Sequence, residues 1–307
     1  MMKRNFLIIL LSTLLLSVSC ELFYPENESS IRLITVASDY VGTSITSHLE
    51  CCPVDQSAVK DQIEYLAKAS SRDYDGIHIT LDDGILYRTR SSSQAGSSVD
   101  YSVDPYSGSS VKPMREQLLS AIEEIKTIAS NDDITIFYYS GHGAEGTKKE
   151  WLERGALVFD LASEDAVFTD ELIAAIESIP GKKALIIDAC YSGMYVEDPP
   201  YYPSTTEEAF HSLLYIPAKD SMDTWSISAS GYDEKSWSNM MGRNFSLFTN
   251  EMLRHLGYDT NAKKPGMPNT KDVSILSIYS YAQEYVEPSF QTPQSTNTMK
   301  DLVLFSF

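Results

Sequence analysis

Thr135-Ile136-Phe137-Tyr138-Tyr139-Ser140-Gly141-His142-Gly143 and Ala184-Leu185-Ile186-Ile187-Asp188-Ala189-Cys190-Tyr191-Ser192-Gly193 decide the fold of this chain. Each is a continuous apolar run of β-branched or aromatic residues, the pattern of a strand in a parallel sheet covered on both faces. Each run ends in a small-residue turn that carries one reactive side chain. In open α/β sheets ligands bind at the carboxyl ends of the strands, so His142 and Cys190 share one crevice if the two strands are neighbours.

Between the runs lies Thr169-Asp170-Glu171-Leu172-Ile173-Ala174-Ala175-Ile176-Glu177-Ser178-Ile179, with Leu172, Ala175, Ile176 and Ile179 at helical spacing. Thr169 or Asp170 is a natural N-cap, and Pro180-Gly181 stops the helix. Strand, crossover helix and parallel strand make His142 and Cys190 neighbours.

A thiol is a nucleophile as its thiolate, and an adjacent imidazole can both take the thiol proton and protonate the leaving amine. Glycines beside the histidine allow close approach of a substrate and can offer an N–H to an oxyanion. Taken singly, Cys190 reads equally as a buried structural thiol and His142 as a satisfied loop histidine. The pair, in these two contexts, points to covalent catalysis.

Ser140-Gly141-His142-Gly143, followed 48 residues after the histidine by Asp188-Ala189-Cys190-Tyr191-Ser192-Gly193, resembles the catalytic dyad of caspase-like cysteine peptidases. Arg32-Leu33-Ile34-Thr35-Val36-Ala37 resembles the first strand of that family, and Cys52-Pro53-Val54-Asp55 the start of its first helix. Gln291-Thr292-Pro293-Gln294 before Leu302-Val303-Leu304-Phe305 resembles the closing loop and strand of bacterial members. The resemblance spans roughly residues 31 to 307. It implies an α/β three-layer sandwich, with a mostly parallel six-stranded sheet and helices on both faces.

With 307 residues and 43% hydrophobic content, the chain can hold one large or two small domains, and no linker separates two. Residues 88 to 112, rich in Ser and Gly, read as a surface loop between a strand and a helix. Residues 197 to 223, with four prolines, read as a long loop after the nucleophile, and 258 to 272 as a third.

Residues 1–19 read as a signal peptide: Lys3-Arg4, an apolar run from Phe6 to Leu16 broken by Ser12-Thr13, then small residues before Cys20. The run is shorter than the roughly 20 residues a membrane helix needs. Cys20 resembles a bacterial lipoprotein acylation site, although Ser17 stands where Leu is usual. Acylation would make residues 20–30 a tether and the protein a lipid-anchored one of the cell envelope; ordinary cleavage would leave it secreted. Residues 31–307 form the peptidase domain.

The remaining cysteines are Cys190 and the adjacent pair Cys51-Cys52, so no multi-bridge framework is available and no zinc spacing is evident. Ordinary packing near the first helix accounts for Cys51 and Cys52. The resemblance also puts Cys52 near the active site, where a secondary reactive role is the alternative.

The formal net charge is −19, and −21 once Lys3 and Arg4 leave with the signal. Such a surface repels nucleic acid and is not drawn to anionic lipid, whereas it favours a basic peptide. Asp188 lies two residues before Cys190 on the same strand face, so it should reach the pocket beside the nucleophile, or else accept backbone N–H bonds at the strand end. Caspases that cut after aspartate have glutamine there; metacaspase-like enzymes have aspartate and cut after Arg or Lys. By the same resemblance Asp55 is the second pocket carboxylate and Ser140 a pocket-wall residue.

Trp225-Ser226-Ile227-Ser228-Ala229-Ser230 reads as a strand of alternating exposure. The resemblance makes it the groove wall, with Ser228 and Ser230 beside a peptide added as an extra strand. Family members often have Glu where Ser238 stands. Calcium is the cofactor question the family raises: Glu153, Asp170 and Glu197 correspond to its carboxylates, with Thr169 where an acid is usual, and six to eight oxygens are needed. No organic cofactor is expected.

Lys219 is the lone Lys or Arg between Cys190 and Lys235, in the loop where caspase-like zymogens are often cut; Arg154 and Lys148-Lys149 are rival sites. The expected activity is hydrolysis of a peptide bond after a basic residue. Cys190 attacks, His142 moves the proton, and the amides of Gly143 and Cys190 hold the oxyanion. The alternative is a non-catalytic, peptide-binding envelope lipoprotein on the same scaffold. Legumain-like or clostripain-like peptidases share the His-Gly and Ala-Cys motifs and are the enzymatic alternative.

Overall fold

The computed structural model describes residues 29–93, 98–103, 113–144, 155–195, 223–231, 233–237, 245–296 and 301–307. In chain order these form β1 (Ile31–Ser38), α1 (Cys51–Ala69), β2 (Tyr74–Asp82), β3 (Ile85–Ser92), β4 (Ser98–Val103) and α2 (Met114–Ile128). Then come β5 (Ile134–Ser140), β6 (His142–Ala144), β7 (Ala156–Asp160), β8 (Asp165–Phe168), α3 (Thr169–Glu177) and β9 (Lys182–Asp188). A short 3-10 turn (Ser192–Tyr195) leads on to β10 (Thr224–Ser228), α4 (Leu247–His255), β11 (Asp272–Ser274), α5 (Ile275–Tyr285), β12 (Gln294–Ser295) and β13 (Val303–Ser306).

The main sheet has eight strands in the order β12-β10-β9-β5-β1-β2-β3-β4. Its centre, β10 to β2, is parallel; β12 and β3 pair antiparallel with it at the two edges, and β4 pairs antiparallel with β3. The sheet is therefore mixed and larger than the expected six strands. The two additional strands on one side, β3 and β4, span residues 85–103 and so overlap the segment from 88 that reads as a loop. Asp83-Gly84, both with positive φ (51° and 74°), turns β2 back as β3, the two-residue connection that suits a right-twisted hairpin. An edge strand needs few apolar residues; in β3, Leu86 and Ser91 are buried, and Ser91 bonds His78 of β2.

Strand alternation divides the core into two layers. Leu33, Ile136, Tyr138 and Ile186 face the side covered by α1, α4 and α5, where Ile63, Leu66, Phe248, Met252 and Ile278 meet them. Ile34, Phe137, Tyr139, Leu185 and Ile187 face α2 and α3, against Leu118, Ile122, Leu172 and Ile176. The crossover from β5 to β9 holds more than a helix, since β6, β7 and β8 form a separate three-stranded antiparallel sheet before α3. Phe168, not Thr169 or Asp170, is the N-cap of α3; Thr169 and Asp170 lie in the first turn.

The carboxyl-terminal segments also separate. β12, from the Gln291–Gln294 loop, closes the main sheet by pairing with β10, whereas β13 pairs with β11 outside it. β10 is buried throughout rather than alternating, because neighbouring strands flank it on both edges and helices cover it.

Candidate active site

β5 and β9 are adjacent and parallel with Ser140 opposite Asp188, so His142 and Cys190 each lie two residues past a paired strand end. The two turns touch. Gly141 donates its N–H to the Asp188 carbonyl at 3.1 Å, and a Cβ on Gly143 would lie 2.1 Å from the Cys190 carbonyl oxygen. The glycine after the histidine is thus a requirement of close backbone approach.

His142 is held from several sides. Its Nε2 is 2.7 Å from the Ser47 carbonyl, which accepts only, so Nε2 carries the hydrogen and Nδ1 is the basic nitrogen. The His142 N–H donates to the Tyr40 hydroxyl at 2.5 Å, and the Tyr139 hydroxyl donates to the His142 carbonyl at 2.8 Å. Burial lowers the imidazole pKa below its ordinary value, with the Ser47 bond opposing.

Cys190 is partly exposed, its thiol 3.7 Å from the Ser236 carbonyl. Tyr191 after it has φ of 60°, a region L-residues rarely adopt, and its N–H donates to the Glu234 carbonyl at 2.7 Å. Burial raises the Cys190 pKa, and Asp188 adds to the rise. Both shifts favour the neutral forms, a thiol at Cys190 and an imidazole at His142.

Beneath the two turns lies a buried pair of carboxylates, Asp55 and Asp188. Ser140 and Asp188 share the sheet face with Tyr138 and Ile186, and so point toward α1 and α4. The Ser140 hydroxyl donates to Asp55 at 3.0 Å, and the Ser246 N–H donates to the other Asp55 oxygen at 3.1 Å. Asp188 accepts from the hydroxyls of Ser246 and Thr249, the latter at 2.7 Å, and from the Thr249 N–H at 3.3 Å. The start of α4 thus turns its N–H groups and its positive dipole end onto both acids. Even so, burial raises both pKa values, and the charge of Cys51 and then of Asp188 adds to the rise at Asp55. Among the described residues no ion pair joins either carboxylate to a basic side chain.

Other expected residues fall differently. Ser228 and Ser230 are fully buried, with hydroxyls donating to the Ser230 and Ala189 carbonyls, the second of which braces the Cys190 turn. The outer edge of β10 is paired with β12 and does not receive an added strand at Ile227 and Ser228. Asp170 accepts the N–H of Glu171 within its own helix. Cys20, Glu153, Glu197 and Lys219 lie outside the described residues.

Sequence reading passed over Tyr40, Ser47, Glu234, Trp237, Ser246 and Thr249. Trp237 is 40% exposed, stacks edge-on with Phe290 at 6.2 Å and donates its N–H to Gln291 at 2.7 Å. The Glu234 carboxylate accepts N–H bonds from Gly231 and Thr292. Together they fix 233–237 against the Cys190 turn.

A family model for the metacaspase, peptidase C14 domain matches residues 36–199. Caspase-1 from Spodoptera frugiperda is similar in structure, with 13% identity, 92% of this chain and 93% of that chain covered, and a TM-score of 0.50. A structure of pro-sf-caspase-1 gives 12% identity, coverage of 91% and 90%, and a TM-score of 0.51. At these identities the likeness is one of fold. No curated protein sequence matches the chain.

Proposed function

The chain belongs to the metacaspase, peptidase C14, family and is a caspase-like cysteine peptidase; from that premise we propose that it is an endopeptidase cutting after Arg or Lys through His142 and Cys190. The observation that carries this reading is the register of β5 on β9, which sets the two turns side by side with Asp55 and Asp188 beneath them.

His142 Nδ1 takes the thiol proton as Cys190 Sγ attacks the scissile carbonyl. The oxyanion rests on the N–H groups of Gly143 and Cys190. Collapse breaks the C–N bond, and the proton on His142 passes to the leaving amine. Water, deprotonated by the same imidazole, then hydrolyses the thioester and returns Cys190 as a thiol. A substrate guanidinium or ammonium entering the pocket supplies the cation that the two acids lack, ionises them and pairs with them, whereas a substrate aspartate is repelled. Trp237 and Phe290 offer an apolar shelf for a neighbouring substrate residue.

The same preference makes Lys219 a site of self-cleavage, and Lys219→Ala enzyme that matures normally would discard that role. The proposed setting is the cell envelope, with a lipid on Cys20; mass spectrometry of the mature amino terminus checks it. The main test uses purified protein and fluorogenic peptides ending in Arg, Lys or Asp, with and without calcium, beside Cys190→Ala. Cleavage after Arg or Lys that vanishes in the variant is expected. Cleavage after Asp would overturn the specificity, and no turnover of any peptide would favour the binding lipoprotein.

A further inference from the structure

Cys51, Cys52 and Asp55 each offer a ligand atom within 4.8 Å of the other two, all buried in the first turns of α1. We infer that these three side chains form a binding site for a thiophilic divalent cation of the zinc class, directly behind the substrate pocket. The helix makes the grouping: Asp55 lies four residues after Cys51 and three after Cys52, the two spacings that share a helix face. The Cys51 and Cys52 sulfurs are 3.9 Å apart. Two thiolates bound to zinc at about 2.3 Å and the tetrahedral angle stand about 3.8 Å apart, so the spacing needs little adjustment.

Other roles for the pair fit less well. A disulfide needs its sulfurs at about 2.05 Å and its Cα atoms usually 4.4 Å or more apart, but neighbouring Cα atoms are fixed at about 3.8 Å. Closing that ring would distort the start of α1. Two thiolates and one carboxylate are a donor set for a borderline or soft ion, not for calcium or magnesium, which take oxygen. Binding replaces the two S–H protons, and the proton of Asp55 where that carboxyl is protonated, with the cation and releases them to solvent. The fourth position falls to water or to the Ser140 hydroxyl, which lies 3.0 Å from Asp55.

The consequence rests on the reading of Asp55 as a pocket acid. An Asp55 oxygen held by the cation is no longer available to a substrate guanidinium, so cation and basic substrate compete. Cleavage would then be restrained by the cation without any contact to the dyad.

Cadmium titration of the full-length protein carrying Cys190→Ala, under reducing conditions, tests the site apart from activity. One equivalent should bind with a near-ultraviolet thiolate-to-metal band. Cys51→Ser and Cys52→Ser should each lose about half of that band, and Asp55→Asn should weaken binding by about 10- to 100-fold. Circular dichroism of each variant checks folding, and either cysteine variant suffices if the Asp55 variant fails to fold. A band that survives both cysteine substitutions, or one present only when Cys190 is intact, would overturn the site. In the active protein, zinc should raise KM for an Arg peptide, and Cys51→Ser should abolish that effect. Cadmium binding without Arg cleavage would leave the site standing and remove the pocket reading; Arg cleavage without cadmium binding would do the reverse.

Discussion

The Tyr40 ring stands 4.4 Å from the His142 imidazole while its hydroxyl takes the His142 N–H at 2.5 Å. That hydroxyl also donates to the Val158 carbonyl at 2.9 Å and lies 3.0 Å from the Tyr139 hydroxyl, which holds the His142 carbonyl. Tyr40 pays for this placement with φ of 67°. Two buried tyrosines, one just past β1 and one in β5, therefore clamp both backbone groups of His142.

Tyr40→Phe keeps the ring and removes the clamp. The His142 N–H and the Val158 carbonyl lose a partner, at a cost of about 1–3 kcal/mol for each buried group left unsatisfied. Melting temperature should fall, and kcat for an Arg peptide should drop about 10-fold or more with KM little changed. An unchanged kcat, measured on folded protein, would remove Tyr40 from the positioning of His142.

The resting dyad sets a second expectation. Burial holds the Cys190 pKa above, and the His142 pKa below, the ordinary values. Neutral imidazole and thiol then coexist around neutral pH, with no preformed ion pair. Iodoacetamide should alkylate Cys190 slowly at pH 6 and faster as pH rises past 8, and the acid limb of kcat/KM should lie below pH 6.5. Rapid alkylation at pH 5 would instead report a thiolate paired with imidazolium.

Strand 134–140, strand 182–188, the crossover helix and the adjacency of the His142 and Cys190 turns are legible because their signals are local: apolar runs, helical spacing, and small-residue turns. The hairpin at Asp83-Gly84 carried a signal as well, but the Ser-rich sequence after it resembled a loop. An edge strand satisfies its backbone by pairing and needs little apolar content. The burial of Ser228 and Ser230 is not legible for a related reason: alternation says which face a serine shares, not whether β12 and the Cys190 turn already occupy that side. Tyr40, Ser47, Ser246 and Thr249 act through contacts across as many as 191 residues of chain, which no local pattern encodes.

Asp55 and Asp188 place function against stability. Both titrate above their ordinary range when folded, so the folded protein holds more protons than the unfolded one from about pH 4 upward. Their stabilising contribution is complete below that pH and is lost as pH rises through the folded values. Asp55→Asn has no charge to bury. Its melting temperature should exceed that of the parent protein at pH 7 to 8, and the gap should close toward pH 4. Its kcat/KM for an Arg peptide should fall about 10- to 100-fold through loss of a charge-assisted bond of about 1.5–3 kcal/mol. A variant less stable than the parent at pH 8 would mean that the hydrogen bonds from Ser140 and Ser246 outweigh the buried charge.

Gly143→Ala probes the contact between the two turns. The added Cβ would sit 2.1 Å from the Cys190 carbonyl oxygen and 3.2 Å from the Ala189 Cβ, and the nearer neighbour is backbone that cannot rotate aside. Either the histidine turn or the cysteine turn must move. The Gly143 N–H is one of two proposed oxyanion donors, and loss of one such donor costs about 10²- to 10³-fold in rate. Ground-state binding of a basic side chain depends on Asp55 and Asp188, in the layer beneath. So kcat should fall by about that factor while a reversible Arg-aldehyde, which needs the oxyanion site, loses affinity and a simple guanidine ligand of the pocket does not. Equal weakening of both ligands would show that the turn displacement reaches the carboxylates, and would tie the oxyanion site and the pocket into one rigid unit.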